Sequence, residues 1–144
     1  MNIEYKLLGD GIYEYCIKEK YDGQTYYMSF YFNSNKNFCT IYLRIYSKRK
    51  EEFDFENEIQ ETGKNPFYTY RWAIKAFKLL EERVISEELS ENNKRNKITF
   101  MVSWLDNRRR DAYYKILSKY GYNYEYRYGK KTLVKEVYYE GKSV

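Results

Sequence analysis

Between Thr62 and Pro66 the apolar residues stop recurring at every second position and begin to recur at every third or fourth, and that switch limits the fold more than any other feature. Upstream the pattern is that of strands. Ile12–Lys18 is a short apolar-rich stretch that ends before the turn Tyr21-Asp22-Gly23. Gln24–Phe32 sets Tyr26, Met28, Phe30 and Phe32 on one face and Tyr27, Ser29 and Tyr31 on the other. An Asn-rich turn, Asn33–Asn37, precedes Phe38–Tyr46, with Ile41, Leu43 and Ile45 inward and Tyr42, Arg44 and Tyr46 outward. A charged turn, Ser47–Glu52, leads to a fourth expected strand, Phe53–Ile59, with Asp54, Glu56 and Glu58 on its polar face. The expectation is an antiparallel meander of three to four strands.

Downstream the pattern is helical. Gly63-Lys64-Asn65-Pro66 is a tight turn in which Asn65 can cap a helix and Pro66 fits its first position. Phe67, Tyr70, Ile74 and Phe77, with Ala73, Leu80 and Val84, predict a helix to about Ser90. Ile98–Trp104 is apolar on both faces, as a central strand is. Asp106-Asn107 opens a second helix, Arg108–Tyr120, closed by Gly121. A hairpin follows, with Tyr122, Tyr124, Tyr126 and Tyr128 alternating with polar residues, a turn at Gly129-Lys130, and a return over Thr132–Tyr138. The predicted class is α+β in one mixed sheet, and residues 1–144 read as a single domain.

Composition narrows the chemistry. The chain has 144 residues, long enough to bury one core, and 43% of them are hydrophobic. There are 20 Tyr, 8 Phe and a single Pro, and Lys, Asn and Ile are abundant. That bias matches A/T-rich codons, as in low-GC bacteria and their phages, so the tyrosines argue for strands before they argue for a ring-stacking ligand. No histidine is present, which removes Ser-His-Asp and Cys-His catalysis and argues against a metal site. Cys16 and Cys39 stand apart and read as reduced thiols. The N-terminus lacks a secretory pattern and no apolar run is long enough for a membrane span, so a cytoplasmic protein without a membrane partner is expected. A net charge of +5 favours anionic partners: nucleotides, CoA-like phosphates, nucleic acid or an acidic protein surface.

From the expected fourth strand onward the order strand, loop, helix, strand, helix, hairpin resembles the GNAT acetyltransferase superfamily. Gln60-Glu61-Thr62-Gly63-Lys64-Asn65 is similar to that family's Q/R-x-x-G-x-G/A loop, with Asn65 where Gly or Ala is usual. Asn107 is followed at seven residues by Tyr114, and Gly121-Tyr122 stands for the family's Gly-Phe. The resemblance covers roughly residues 53–139, and the first half looks like the opening strands with the early helices reduced or missing. It implies a GNAT-like fold and acetyl-CoA as cofactor, held by Gln60, Thr62, Gly63, Lys64, Asn65 and Asn107. A helix N-terminus offers free N–H groups and partial positive charge to a pyrophosphate. Asn65 adds bulk there, and Pro66 removes one donor.

The resemblance further implies transfer of an acetyl group to a small amine or a protein substrate. Tyr114, or its neighbour Tyr113, would protonate the leaving thiolate; counting back from Gly121 gives Leu117 instead. Glu56 and Glu58 are the candidate bases, and also read as a solvated sheet face. Arg108, Arg109 and Arg110 read either as a solvated helix start between Asp106 and Asp111 or as contacts to an acidic ligand or nucleic-acid backbone. In the nucleic-acid reading they would act with Arg44, Arg71 or Lys130 and Lys131. A further reading is a non-catalytic, phage-encoded protein that binds a host protein on the same scaffold.

Overall fold

A computed structural model describes residues 1–47, 66–89, 95–102, 107–127 and 129–139; within these, the side chains of 44–47, 66, 107–110 and 112 are not described. The expected strand Phe53–Ile59 and the Gln60–Asn65 turn lie outside the described residues. The strands are β1 (Ile3–Gly9), β2 (Ile12–Tyr21), β3 (Gln24–Asn33), β4 (Phe38–Ser47), β5 (Lys97–Val102), β6 (Asn123–Arg127) and β7 (Lys130–Tyr138). The helices are α1 (Pro66–Glu88) and α2 (Asn107–Leu117). The class is α+β, with the described strands in one mixed sheet of order β1-β2-β3-β4-β5-β7-β6.

The meander is local and its turns are written in the sequence. Asp10-Gly11 joins β1 to β2, and Asp22-Gly23 joins β2 to β3; all four residues have positive φ. Two-residue loops of this kind match the twist of the strands they join, and Asp-Gly is among their preferred pairs. At Gly11 a Cβ would meet Ser34 Oγ at 2.7 Å, a second reason for glycine there. The turn after β3 is held by Asn33, whose Oδ1 accepts the N–H groups of Asn35 and Lys36. β1 is a strand beyond those expected. Ile3, Tyr5 and Leu7 alternate with Glu4 and Lys6, but the segment is so exposed that pairing with β2 does most of the holding.

Beyond β4 the order becomes non-local. β4 and β5 run parallel, from Phe38 beside Thr99 to Ile41 beside Val102. β7 is antiparallel to both β5 and β6, so β6 runs parallel to β5. The connections β4–α1–β5 and β5–α2–β6 therefore both cross in the same direction along the sheet, and right-handed crossovers of that kind put both helices on one face. The stacking of Tyr70 on α1 against Tyr113 on α2, centroids 5.1 Å apart, places them there together.

The helix-covered face carries the core. Thr69, Trp72, Ala73, Ala76, Phe77, Leu80 and Val84 form the buried stripe of α1. They pack on Tyr15, Ile17, Tyr26, Met28, Phe30, Phe32, Cys39, Ile41, Ile98, Phe100 and Leu133. The stripe is rotated from the one the spacing suggested: Phe67 is 86% exposed, while Thr69 and Trp72 are buried. Trp72 earns its position through a polar tip, its Nε1 donating to Glu19 at 3.0 Å. Cys16 and Cys39 are free and buried. Their registers, beside Ser29 and Phe32, place them on opposite faces of the sheet, out of reach of each other.

α2 ends as its glycine requires. The helix tightens into a 3-10 turn at Ser118–Tyr120, and Gly121 adopts φ 95° and donates its N–H to the Ser118 carbonyl. Tyr122 N–H reaches back to the Leu117 carbonyl, which turns the chain directly into β6 with Tyr122 buried.

Candidate functional site

Among the described residues the parallel pairing runs as far as Ile41 and Val102, and β4 is described on to Ser47. Here α1 contributes Ala73, Ile74 and Phe77, α2 contributes Tyr113, Ile116 and Leu117, and Met28, Ile41, Leu43 and Val102 form the floor of a cleft. Its lining is almost wholly carbon, and its enclosed volume of about 20 Å³ admits one water-sized group. A longer ligand would have to part α1 from α2. Tyr113 is buried at the wall, and burial raises the pKa of Tyr70, the ring stacked on it.

One turn further along α1 the chemistry reverses. Glu81 accepts a hydrogen bond from the Tyr122 hydroxyl at 2.7 Å and an ion-paired contact from Lys135 Nζ at 2.7 Å. Burial, and then the Glu81 charge and hydrogen bond, push the Tyr122 hydroxyl well above its ordinary pKa. Burial also raises the nearby Cys39 thiol, helped by the charges of Glu81 and Glu88. A thiol so held stays protonated, which removes Cys39 as a nucleophile. At the end of α1, Glu88 accepts from the Tyr15 hydroxyl at 2.8 Å and from Arg95 Nη1 at 3.1 Å. Arg95 also donates to the Glu88 carbonyl and to Asn37, and lies over the Phe32 ring. It thus closes the helix C-terminus with a cation, where the helix dipole favours one.

Of the candidates from sequence, Tyr113 lines the cleft, as does Leu117, the alternative reached by counting from Gly121. Tyr114 points elsewhere, stacked on Tyr124 with centroids 4.3 Å apart. Asn107, Arg108, Arg109 and Arg110 form the first turn of α2, and their side chains lie outside the described residues. Glu56, Glu58, Gln60, Thr62, Gly63, Lys64 and Asn65 also lie outside them. Of the other cationic residues considered, Lys131 sits over the Tyr124 ring and Arg71 borders a shallow groove with Glu19, Tyr68 and Lys75.

The Glu81–Tyr122–Lys135 cluster was not singled out from sequence, although two signals point to it. Glu81 falls four residues after Phe77 and three before Val84, on the buried stripe. Lys135 falls between Leu133 and Val137 on the inward face of β7. Among the described residues no group of three or more Cys, Asp or Glu side chains is placed to hold a metal, and no helix is long and apolar enough to cross a membrane. Compared with protein-family models, curated proteins and solved structures, the chain matches none.

Proposed function

We propose that this chain is a small GNAT-like protein that binds acetyl-CoA at the carboxyl ends of β4 and β5 and passes the acetyl group to an amine. The observation that carries the reading is the apolar cleft at the end of the parallel pair, with both crossover helices as its walls. The fit of the described residues is to the acyl end of the thioester: the lining is apolar and accepts a methyl group, and the pantetheine arm enters as α2 moves from α1. The phosphates would lie at Gln60–Asn65.

Transfer needs the acceptor nitrogen to attack the thioester carbonyl, the C–S bond to break, one proton to leave the nitrogen and one to reach the sulfur. Tyr113, which lines the cleft with its ring stacked on Tyr70, is the preferred acid over Tyr114, which does not line it. Glu56 and Glu58 are the proposed bases. A second reading is favoured by the closed state of the cleft: a non-catalytic protein on the same scaffold that binds another protein and takes no acyl donor.

Thermal melting with acetyl-CoA separates the two. Saturation at a hundred times the dissociation constant stabilises by ~2.7 kcal/mol, a rise in Tm of roughly 5–10 °C for a domain of this size. Ile116→Trp, whose ring exceeds the space in the cleft, is expected to abolish that rise and to cost the unliganded protein about 1–3 kcal/mol. No stabilisation at millimolar acetyl-CoA would end the acyltransferase reading and leave the binding-protein one.

A further inference from the structure

The two outer strands of the sheet differ in how they meet solvent. β6 is five residues long, and its Glu125 and Arg127 pair with each other at 3.5 Å, Arg127 also reaching Glu136. β1 is seven residues long, with Tyr5 51%, Leu7 61% and Leu8 49% exposed. An edge strand carries a row of N–H and C=O groups that another strand can complete, and apolar side chains there favour that outcome. β1 has no proline, and its irregularity is confined to the Leu7–Gly9 end.

We infer that β1 is a self-association surface, pairing antiparallel with β1 of a second copy about a two-fold axis through Tyr5. The sequence of the strand supplies the complementarity. With the axis at Tyr5, Glu4 faces the partner's Lys6 and Lys6 faces the partner's Glu4, Tyr5 meets its own copy, and Ile3 lies opposite the partner's Leu7. Opposed residues share a face of the sheet, so the apolar set Ile3, Tyr5 and Leu7 falls on the helix side and the two charge pairs on the other. Moving the axis to Glu4 or to Lys6 puts two like charges face to face, which specifies the register. Lys6 contacts Glu14 of its own chain at 3.4 Å yet remains 67% exposed, leaving its outer side for the partner's Glu4. Tyr5 is already fixed by its neighbours, stacked on Tyr13 at 5.5 Å and tilted on Tyr15 at 4.8 Å, so little side-chain freedom is lost on pairing. The product is one continuous sheet twice as wide, with the helices of both copies on one side and both clefts open at its far parts.

A pairing of this length lies at the low end of interface size, below about 1,200 Å², so the dimer dissociates on dilution. The test is sedimentation equilibrium of the intact chain from about 10 μM to about 1 mM. Wild type is expected to shift reversibly from monomer to dimer across that range. Glu4→Lys and Lys6→Glu, each checked for the wild-type circular dichroism spectrum and melting, are each expected to stay monomeric, since each places like charges across the axis. Mixed in equal amounts they are expected to associate again, because the mixed pair restores both opposite-charge contacts. A wild type that stays monomeric to the highest concentration overturns the inference, and so does a mixture that fails to associate. If Lys6→Glu is lost through its contact with Glu14, Glu4→Lys alone decides: association at wild-type strength refutes the pairing. The outcome is independent of acetyl-CoA binding.

Discussion

The two halves of α1 face opposite kinds of surroundings. From Thr69 to Phe77 the helix is held to the sheet by Trp72 on Glu19 and Thr69 on Tyr26, but toward α2 it faces an apolar cleft whose contacts are rings and methyl groups. From Leu80 to Leu89 it is fastened by two partly buried carboxylates, Glu81 to Tyr122 and Lys135, and Glu88 to Tyr15 and Arg95. Contacts of the first kind are non-directional and can be exchanged for those of a ligand at little loss. Contacts of the second kind are directional, and breaking one leaves a desolvated charge behind. A helix fastened to the sheet along its length, with apolar contacts toward α2, can let α2 move without letting the sheet go.

The sharpest break of that contrast is Glu81→Ala. It strands Lys135 and the Tyr122 hydroxyl together, and a loss of about 3–5 kcal/mol in chemical denaturation is expected, with Glu81→Gln recovering part of it. A loss of under 1 kcal/mol would mean that the fixed end of α1 is not fixed by this cluster. Alkaline pH attacks the same end more gently. Tyr15 and Tyr122 both have hydroxyl pKa values raised above the ordinary 10.0, by burial first and then by their glutamate partners. The unfolded chain releases these protons above about pH 10 while the folded chain keeps them, so the two contribute fully below that pH and stability falls above it. Each contributes a slope of about 1.4 kcal/mol per pH unit, so the pair should lower stability by roughly 2–3 kcal/mol between pH 10 and pH 11. Tyr122→Phe is expected to remove about half of that slope, and an unchanged slope would show that Tyr122 ionises freely. The smallest effect belongs to the cleft. Ile116→Val trims a half-buried wall residue and should cost only about 0.5–1 kcal/mol. A larger loss would mean that the cleft wall is as tightly built as the rest of the core.

How much of this was readable in the sequence follows from how local each feature is. β3, β4 and β5 were legible because their buried residues alternate or run unbroken: Tyr26, Met28, Phe30 and Phe32 in the first case, Ile98–Val102 in the last. α1 was legible as an element, but its inward face was not. Thr69 and Trp72 go in because each finds a partner for its polar atom, Tyr26 and Glu19, and neither partner is visible in the spacing of apolar residues. β1 carried its alternation openly, with Ile3, Tyr5 and Leu7 on one side, yet its exposed edge gives no burial signal to mark it. The insertion of β7 between β5 and β6 depends on hairpin pairing across the sheet, which no local pattern encodes. The same holds for the site. Tyr113 and Leu117 sit together at the cleft because they lie four apart on one helix, whereas Ile41, Val102 and Ile74 join them only through the crossovers.

The proposal that a thioester enters at the ends of β4 and β5 is tested most directly by hydrogen exchange of the intact chain with and without millimolar acetyl-CoA. The expected result is slower exchange at the end of β4, from Thr40 to Leu43, and in α2, with the second half of α1 unchanged because it is already fastened. Exchange that is the same in both conditions, or protection confined to the Glu81 and Glu88 end of the helix, would contradict it.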